Sequence, residues 1–324
     1  MAVATLAHPA PASPRTATRR YHAIMVMGAG AVIETLRPQR FDVICAGQPV
    51  WRASMPSLGE AGRARGSALV NVTTMLTLSR LHVGWATVLE DDRLGRALLA
   101  EMAAIDVDVG AVRLASVSTD LVVVDASGGW SGLLSDRNRA TQVEVPPSWS
   151  SQVLLLSGLK PVTSSLAAFC KAARRARRDG TAIVLDLVGS LRDWNGHDPR
   201  VILMLLREAD VVRCSLFDLA VIGTDAEAVR RAMKSNATLV LDDDDGGTAV
   251  GTFGDVRVQA SRESSAREIL AESYTAAICV EYARPRGVAE TPGGRWHRVL
   301  RREAPRLAAS VPLMRQLLAR RARF

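Results

Sequence analysis

Lysine is nearly absent from this chain: only Lys160, Lys171 and Lys234 stand among 41 basic residues, so 38 are arginine. Such a skew reads first as the mark of GC-rich coding and only second as selection for nucleic acid. The net charge of +8 by itself speaks to non-specific association. Cysteine is also sparse. Cys45, Cys170, Cys214 and Cys279 are scattered, with no C-x-x-C and no paired histidine spacing. That excludes a zinc site or disulfide framework as the organising element and leaves buried thiols in a reducing compartment. No apolar run approaches the roughly 18 residues that a membrane-spanning helix needs. With no internal repeat either, the expectation is a soluble cytoplasmic protein. At 324 residues and 48% hydrophobic content, it is long enough to bury a full core.

Residues 1–40 are rich in Ala, Pro, Thr and Arg and hold no acid before Glu34. Arg19-Arg20 ahead of the apolar stretch 23–33 has the outline of a leader, but no small-x-small cleavage site follows. The segment reads as a disordered extension or a start codon placed too early, with Met25 or Met27 as alternative starts. Beyond it, short apolar runs alternate with helical segments of roughly ten to fifteen residues. FDVICAG (41–47), VGWATVL (83–89), VLLLSG (153–158) and IVLD (183–186) read as buried strands. A three-turn helix carries Val70, Val72, Met75 and Leu76, another is expected over 96–110, and a third over 166–178, where Arg174, Arg175, Arg177 and Arg178 make a solvated face. STDLVVVDASGGW (118–130) reads as a strand turning at Ser-Gly-Gly. This order predicts an α/β fold with a mostly parallel central sheet covered by helices on both faces. Ligand would sit beyond the carboxyl ends of the strands. One domain over 41–290 accounts for it, followed by an arginine-rich tail, 291–324, read as a solvated or frayed terminal segment.

The stretch from Gly66 to Gly95 carries the most specific signal. Gly66, Asn71 five residues on, a helix, a buried strand and the acidic turn Glu90-Asp91-Asp92-Arg93-Leu94-Gly95 follow in an order that resembles the ribokinase/PfkB carbohydrate kinase family. The resemblance implies a ribokinase-like fold with a small β lid, through which a homodimer would form. It implies ATP and Mg²⁺ as cofactors if the protein is active, and a small polyhydroxylated ligand held by a Gly-Gly turn and an Asn. Here Gly66, Ser67 and Asn71 stand in those places. Where the family carries an Asp that accepts hydrogen bonds from substrate hydroxyls, this chain has Arg52, a donor-only cation suited to an acidic or phosphorylated ligand.

Further positions implied by the resemblance are altered. The family's Asn-x-x-Glu pair near Mg²⁺ is matched by Ser215 and Asp218; Asp218 retains an oxygen ligand for a hard cation. Its phosphate-contacting Thr-x-Gly-x-x-Gly is matched by Asp242, Asp244 and Gly247, within a run of four aspartates that would repel a polyanion. A solvated acidic turn is the simplest reading of that run. The Gly-Ala-Gly-Asp motif, whose backbone N–H groups hold the transferring phosphoryl group and whose Asp serves as base, falls on Ile269, Leu270, Ala271 and Glu272. Glu272 is the candidate base, one methylene longer than the family's Asp; alternatively Glu268 and Glu272 simply favour a helix N-terminus. The expectation is a kinase-like protein with phosphotransfer lost or impaired, a pseudokinase that binds a ligand or partner. An active ATP-dependent kinase for a sugar, sugar acid or nucleoside is the alternative. Nucleic-acid binding through the tail is a third and weaker reading.

Overall fold

The computed structural model describes residues 38–49, 51–54, 68–116, 121–124, 130–134, 142–159, 163–188, 200–242, 248–251, 254–257, 264–284 and 298–310. The expected N-terminal extension, Gly66, Ser67, Asp244 and Gly247 lie outside these.

Seven strands run parallel at the centre: β1 (Gln39–Gly47), β3 (Val83–Glu90), β4 (Asp108–Ala115), β7 (Trp149–Ser157), β8 (Ala182–Asp186), β9 (Val211–Ser215) and β10 (Thr238–Asp242). Two antiparallel strands, β11 (Thr248–Gly251) and β12 (Gly254–Arg257), extend one edge, giving the order β12-β11-β10-β9-β8-β7-β1-β3-β4. A separate three-stranded sheet joins β2 (Trp51–Ser54), β5 (Leu121–Val124) and β6 (Trp130–Leu134) in the order β2-β5-β6. Ser127-Gly128-Gly129 lie outside the described residues, and the strands on either side of them, β5 and β6, pair antiparallel.

Alternation along the strands splits the core in two. Val43 and Cys45 of β1 face a cluster with α1 (Ala68–Leu78), α2 (Arg93–Ala104) and α7 (Ser264–Ala283). Phe41, Ile44 and Ala46 face the opposite cluster with α3 (Thr163–Arg178), α4 (Arg200–Leu206), α5 (Leu216–Val221) and α6 (Ala226–Ala232). Both faces of β1, β3, β8, β9 and β10 are covered, so these strands read as continuous apolar runs, whereas the edge strand β4 is half-exposed.

Glycines fix how the strand ends meet. A Cβ on Gly47 would stand 1.6 Å from the Ser157 carbonyl oxygen, and one on Gly158, at φ +65°, 2.1 Å from that of Gln48. The ends of β1 and β7 interlock backbone to backbone, which only glycine allows.

Three features differ from expectation. The helix expected over 96–110 begins at Arg93, because Asp92 caps it by accepting the Gly95 N–H at 2.8 Å. It ends at Ala104; Asp106, at φ 66°, turns the chain into β4, where Val107 and Val109 favour a strand. Arg175, expected on a solvated face, instead donates to the carbonyls of Val145 and Pro146 at 3.0 and 2.9 Å, and burial lowers its guanidinium pKa. The third difference is at the carboxyl end. Residues 298–310 pack on α7, with Val299 and Ala304 wholly buried and Arg298 paired through two hydrogen bonds with Glu281 at 3.0 and 3.2 Å. The core therefore continues past residue 290, where the tail was expected to begin.

Candidate active site

The carboxyl ends of β8, β9 and β10 meet the middle of α7, and there the chain buries a charged network. Arg213 lies on β9 with its side chain 1% exposed. Its Nη1 donates to Asp186 Oδ2 at 3.3 Å and to Thr275 Oγ1 at 3.0 Å; its Nε and Nη2 both reach Asp242. Thr275, accepting from Arg213, donates its own proton to Asp186 Oδ2 at 2.8 Å. The other Asp186 oxygen accepts the Val188 N–H at 3.1 Å. Register explains the meeting: Asp186 pairs with Arg213 across β8 and β9, while Asp242, the last residue of β10, lies opposite Ser215.

Burial alone would lower the Arg213 guanidinium, but Asp242, Asp186 and Glu272 together hold it above the ordinary arginine value. Burial pushes the Asp242 carboxyl up; Arg213 opposes this, while Asp186 and Asp218 add to it. A buried ion pair of this kind is weak evidence for net stability, but removing one partner alone strands a charge and is costly.

Glu272 and Asn71 meet on the inner side of α7. Asn71 Nδ2 donates to Glu272 Oε2 at 2.6 Å, and both residues are buried. The candidate ligand-holding Asn and the candidate base are thus in contact, although 201 residues separate them. Glu272 is not at a helix N-terminus. The helix begins at Ser264, so Glu272 lies in its third turn, and α7 has no acid in its first turn. By helical geometry the backbone N–H groups of Ile269 to Glu272 are spent on carbonyls four residues earlier.

Ser215 caps α5: its Oγ accepts the Asp218 N–H at 3.0 Å and donates to Asp218 Oδ2 at 2.5 Å. Asp218 is 1% exposed, and among the described residues no group of three or more His, Cys, Asp or Glu has the arrangement to hold a metal. In the acidic turn, Asp92 caps α2, Asp91 accepts from Arg96 Nε at 2.6 Å, and a Cβ on Gly95 would lie 2.0 Å from the Glu90 carbonyl oxygen. This turn is a helix-start device. Arg52 lies on β2 opposite Val122, in the small sheet. A cavity of about 90 Å³ on the opposite face, between Ile202, Leu206, Leu219 and Val229, is largely apolar and has no charged side chain in its lining.

Sequence reasoning missed Arg213 and Thr275. The signal was present: an arginine inside ADVVRCSLF, a run otherwise fit for a buried parallel strand, requires acids at the ends of neighbouring strands.

This architecture is the ribokinase-like α/β fold, with a parallel sheet covered on both faces and a small second sheet. Solved structures with the same fold include the Salmonella enterica aminoimidazole riboside kinase complexed with aminoimidazole riboside and an ATP analog (TM-score 0.61, 17% identity, covering 84% of this chain and 93% of that one). The fructokinase from Xylella fastidiosa with bound ATP matches at TM-score 0.60 and 17% identity, covering 86% and 97%. The PfkB protein from Polaromonas sp. JS666 matches at TM-score 0.61 and 22% identity, covering 86% and 99%. At these identities the similarity establishes the fold. No family profile matches the sequence, and no curated protein matches it.

Proposed function

We propose that the protein is a PfkB-type kinase-like protein in which phosphotransfer is lost or badly impaired, and that it acts in the cytoplasm by binding a small polyhydroxylated or anionic ligand or a partner. One observation carries this: α7 runs unbroken from Ser264 through Glu272. Where the resemblance puts an anion hole at a helix start, the N–H groups of residues 269–272 are already bonded within the helix. A transferring phosphoryl group would find no free donors there. The buried carboxylates Asp186, Asp218 and Glu272, with the partly buried Asp242, add electrostatic opposition to a polyphosphate.

A second reading, an active ATP-dependent kinase using Mg²⁺ with Glu272 as base, has the Asn71–Glu272 contact in its favour, since it brings the expected ligand-holding residue to the expected base. The two part in one assay. Purified protein is incubated with Mg-ATP and a panel of sugars, sugar acids and nucleosides, and ADP release is followed for wild type and Glu272→Gln. We expect no acceptor-dependent ADP that vanishes in the variant. Acceptor-dependent turnover abolished by Glu272→Gln would establish the kinase instead.

A further inference from the structure

Three carboxyl groups are buried and a fourth, Asp242, is partly buried at or beside the ends of β8, β9 and β10, and the Arg213 guanidinium stands among them. Asp186 and Asp242 hydrogen-bond Arg213, Glu272 acts on it only through its charge, and Asp218 acts likewise on Asp242. Buried carboxylates in such number cannot all stay ionised without a cation, because desolvation penalises each charge and like charges raise the cost. Buried charges are paired with a side chain of opposite sign or coordinate a bound ion. Here the donors of Arg213 are directed at Asp186, Asp242 and Thr275, linking two strands of the sheet to α7. The carboxylates it engages are not arranged to hold a metal among the described residues.

We propose that the Arg213 guanidinium is a built-in cation: it supplies the positive charge that an open site at these strand ends would draw from solution, and so holds the carboxylate cluster and α7 assembled with nothing bound. This deepens the reading of a site closed to nucleotide, and rests on it. Arginine suits the task better than lysine, since its planar fork serves Asp242 through Nε and Nη2 while Nη1 reaches Asp186 and Thr275. A point charge would satisfy one of these at a time. The arrangement also keeps Asp242, the first residue of the acidic run, turned toward the sheet instead of toward solvent.

The test is the melting temperature of the full chain. For wild type it should differ by no more than about 1 °C between chelator and about 10 mM Mg²⁺, Ca²⁺ or K⁺ at constant ionic strength, since no ion-binding term adds to stability. Arg213→Ala should melt about 10 °C lower, and Arg213→Lys in between. Low millimolar guanidinium should raise the melting point of Arg213→Ala while leaving wild type unchanged or lower, and urea at the same concentration should not. A wild-type melting point that climbs with a cation, or an Arg213→Ala chain indifferent to guanidinium, would overturn the proposal. If Arg213→Ala does not fold, Arg213→Lys and the wild-type cation series decide it: a lysine variant as stable as wild type refutes the fork argument. Mg-ATP binding, read separately, would overturn the closed-site reading on which this proposal rests, whereas a failed melting series without nucleotide binding would overturn the built-in cation alone.

Discussion

At the scale of single residues, the polar groups of the interior differ in how well they are satisfied, and that sets what substitution does. Asn71→Ala removes the donor to buried Glu272 and should cost about 1–3 kcal/mol in urea unfolding, whereas Asn71→Asp, which sets a second acid against the carboxylate, should cost more. The Tyr274 hydroxyl is buried with no hydrogen-bond partner among the described residues, so Tyr274→Phe should be neutral or stabilise by about 1 kcal/mol. Burial, with Asp242 beside it, pushes the Tyr274 phenol up to about 12, and burial pushes the Cys45 thiol up to about 12 as well. In both cases the folded chain keeps a proton that the unfolded chain releases earlier. Their stabilising contribution is complete below the unfolded values near 9 and 10 and is lost as pH rises toward 12. Stability should therefore fall between pH 9 and 12, and less steeply in Tyr274→Phe; an alkaline limb unchanged by that substitution would contradict the assignment. The thiols give a second check. All four cysteines are buried and unbridged, so a thiol reagent should titrate none of them quickly in the native protein and all of them in denaturant.

At the scale of elements, what was legible from sequence depended on whether a pattern had a local cause. The strands FDVICAG and VGWATVL and the glycines at 47, 95 and 158 were readable because apolar runs and close backbone approach leave a local signature. The Glu90–Gly95 turn was readable as a motif, but its capping role needed the structure. Asn71 and Glu272 were each singled out, yet nothing in the sequence said they touch; the contact follows from the packing of α1 against α7. Arg213 went unnoticed because its partners lie 27, 29 and 62 residues away, supplied by strand order and register. The terminal segment was misjudged for a similar reason: its arginines suggest solvent, whereas Val299 and Ala304 enter the core and Arg298 answers Glu281. Ending the chain at residue 297 should lower the melting temperature by several degrees or prevent folding, since burying Val299 alone contributes about 1.5–3 kcal/mol. Ending it at 310 should leave these contacts intact. Equal stability of the 297-residue chain and the full chain would show that the segment is indeed a tail.

For the molecule as a whole, a ribokinase-like frame is combined with a closed charge network at the strand ends. The residues that preserve the frame, Gly47, Gly95 and Gly158, act through backbone geometry, while the matched functional positions Ser215, Asp218 and Asp242 are turned to capping and internal ion pairing. Phosphoryl transfer depends on positioning and electrostatics, so on the proposed reading a helix without free N–H donors at residues 269–272 would leave it little support. The most direct test is calorimetric titration of the purified full chain with Mg-ATP and, separately, with ATP free of metal. A closed site predicts no saturable heat in either titration at millimolar nucleotide. Saturable, metal-dependent binding would contradict the closed site and return the protein to the active kinases.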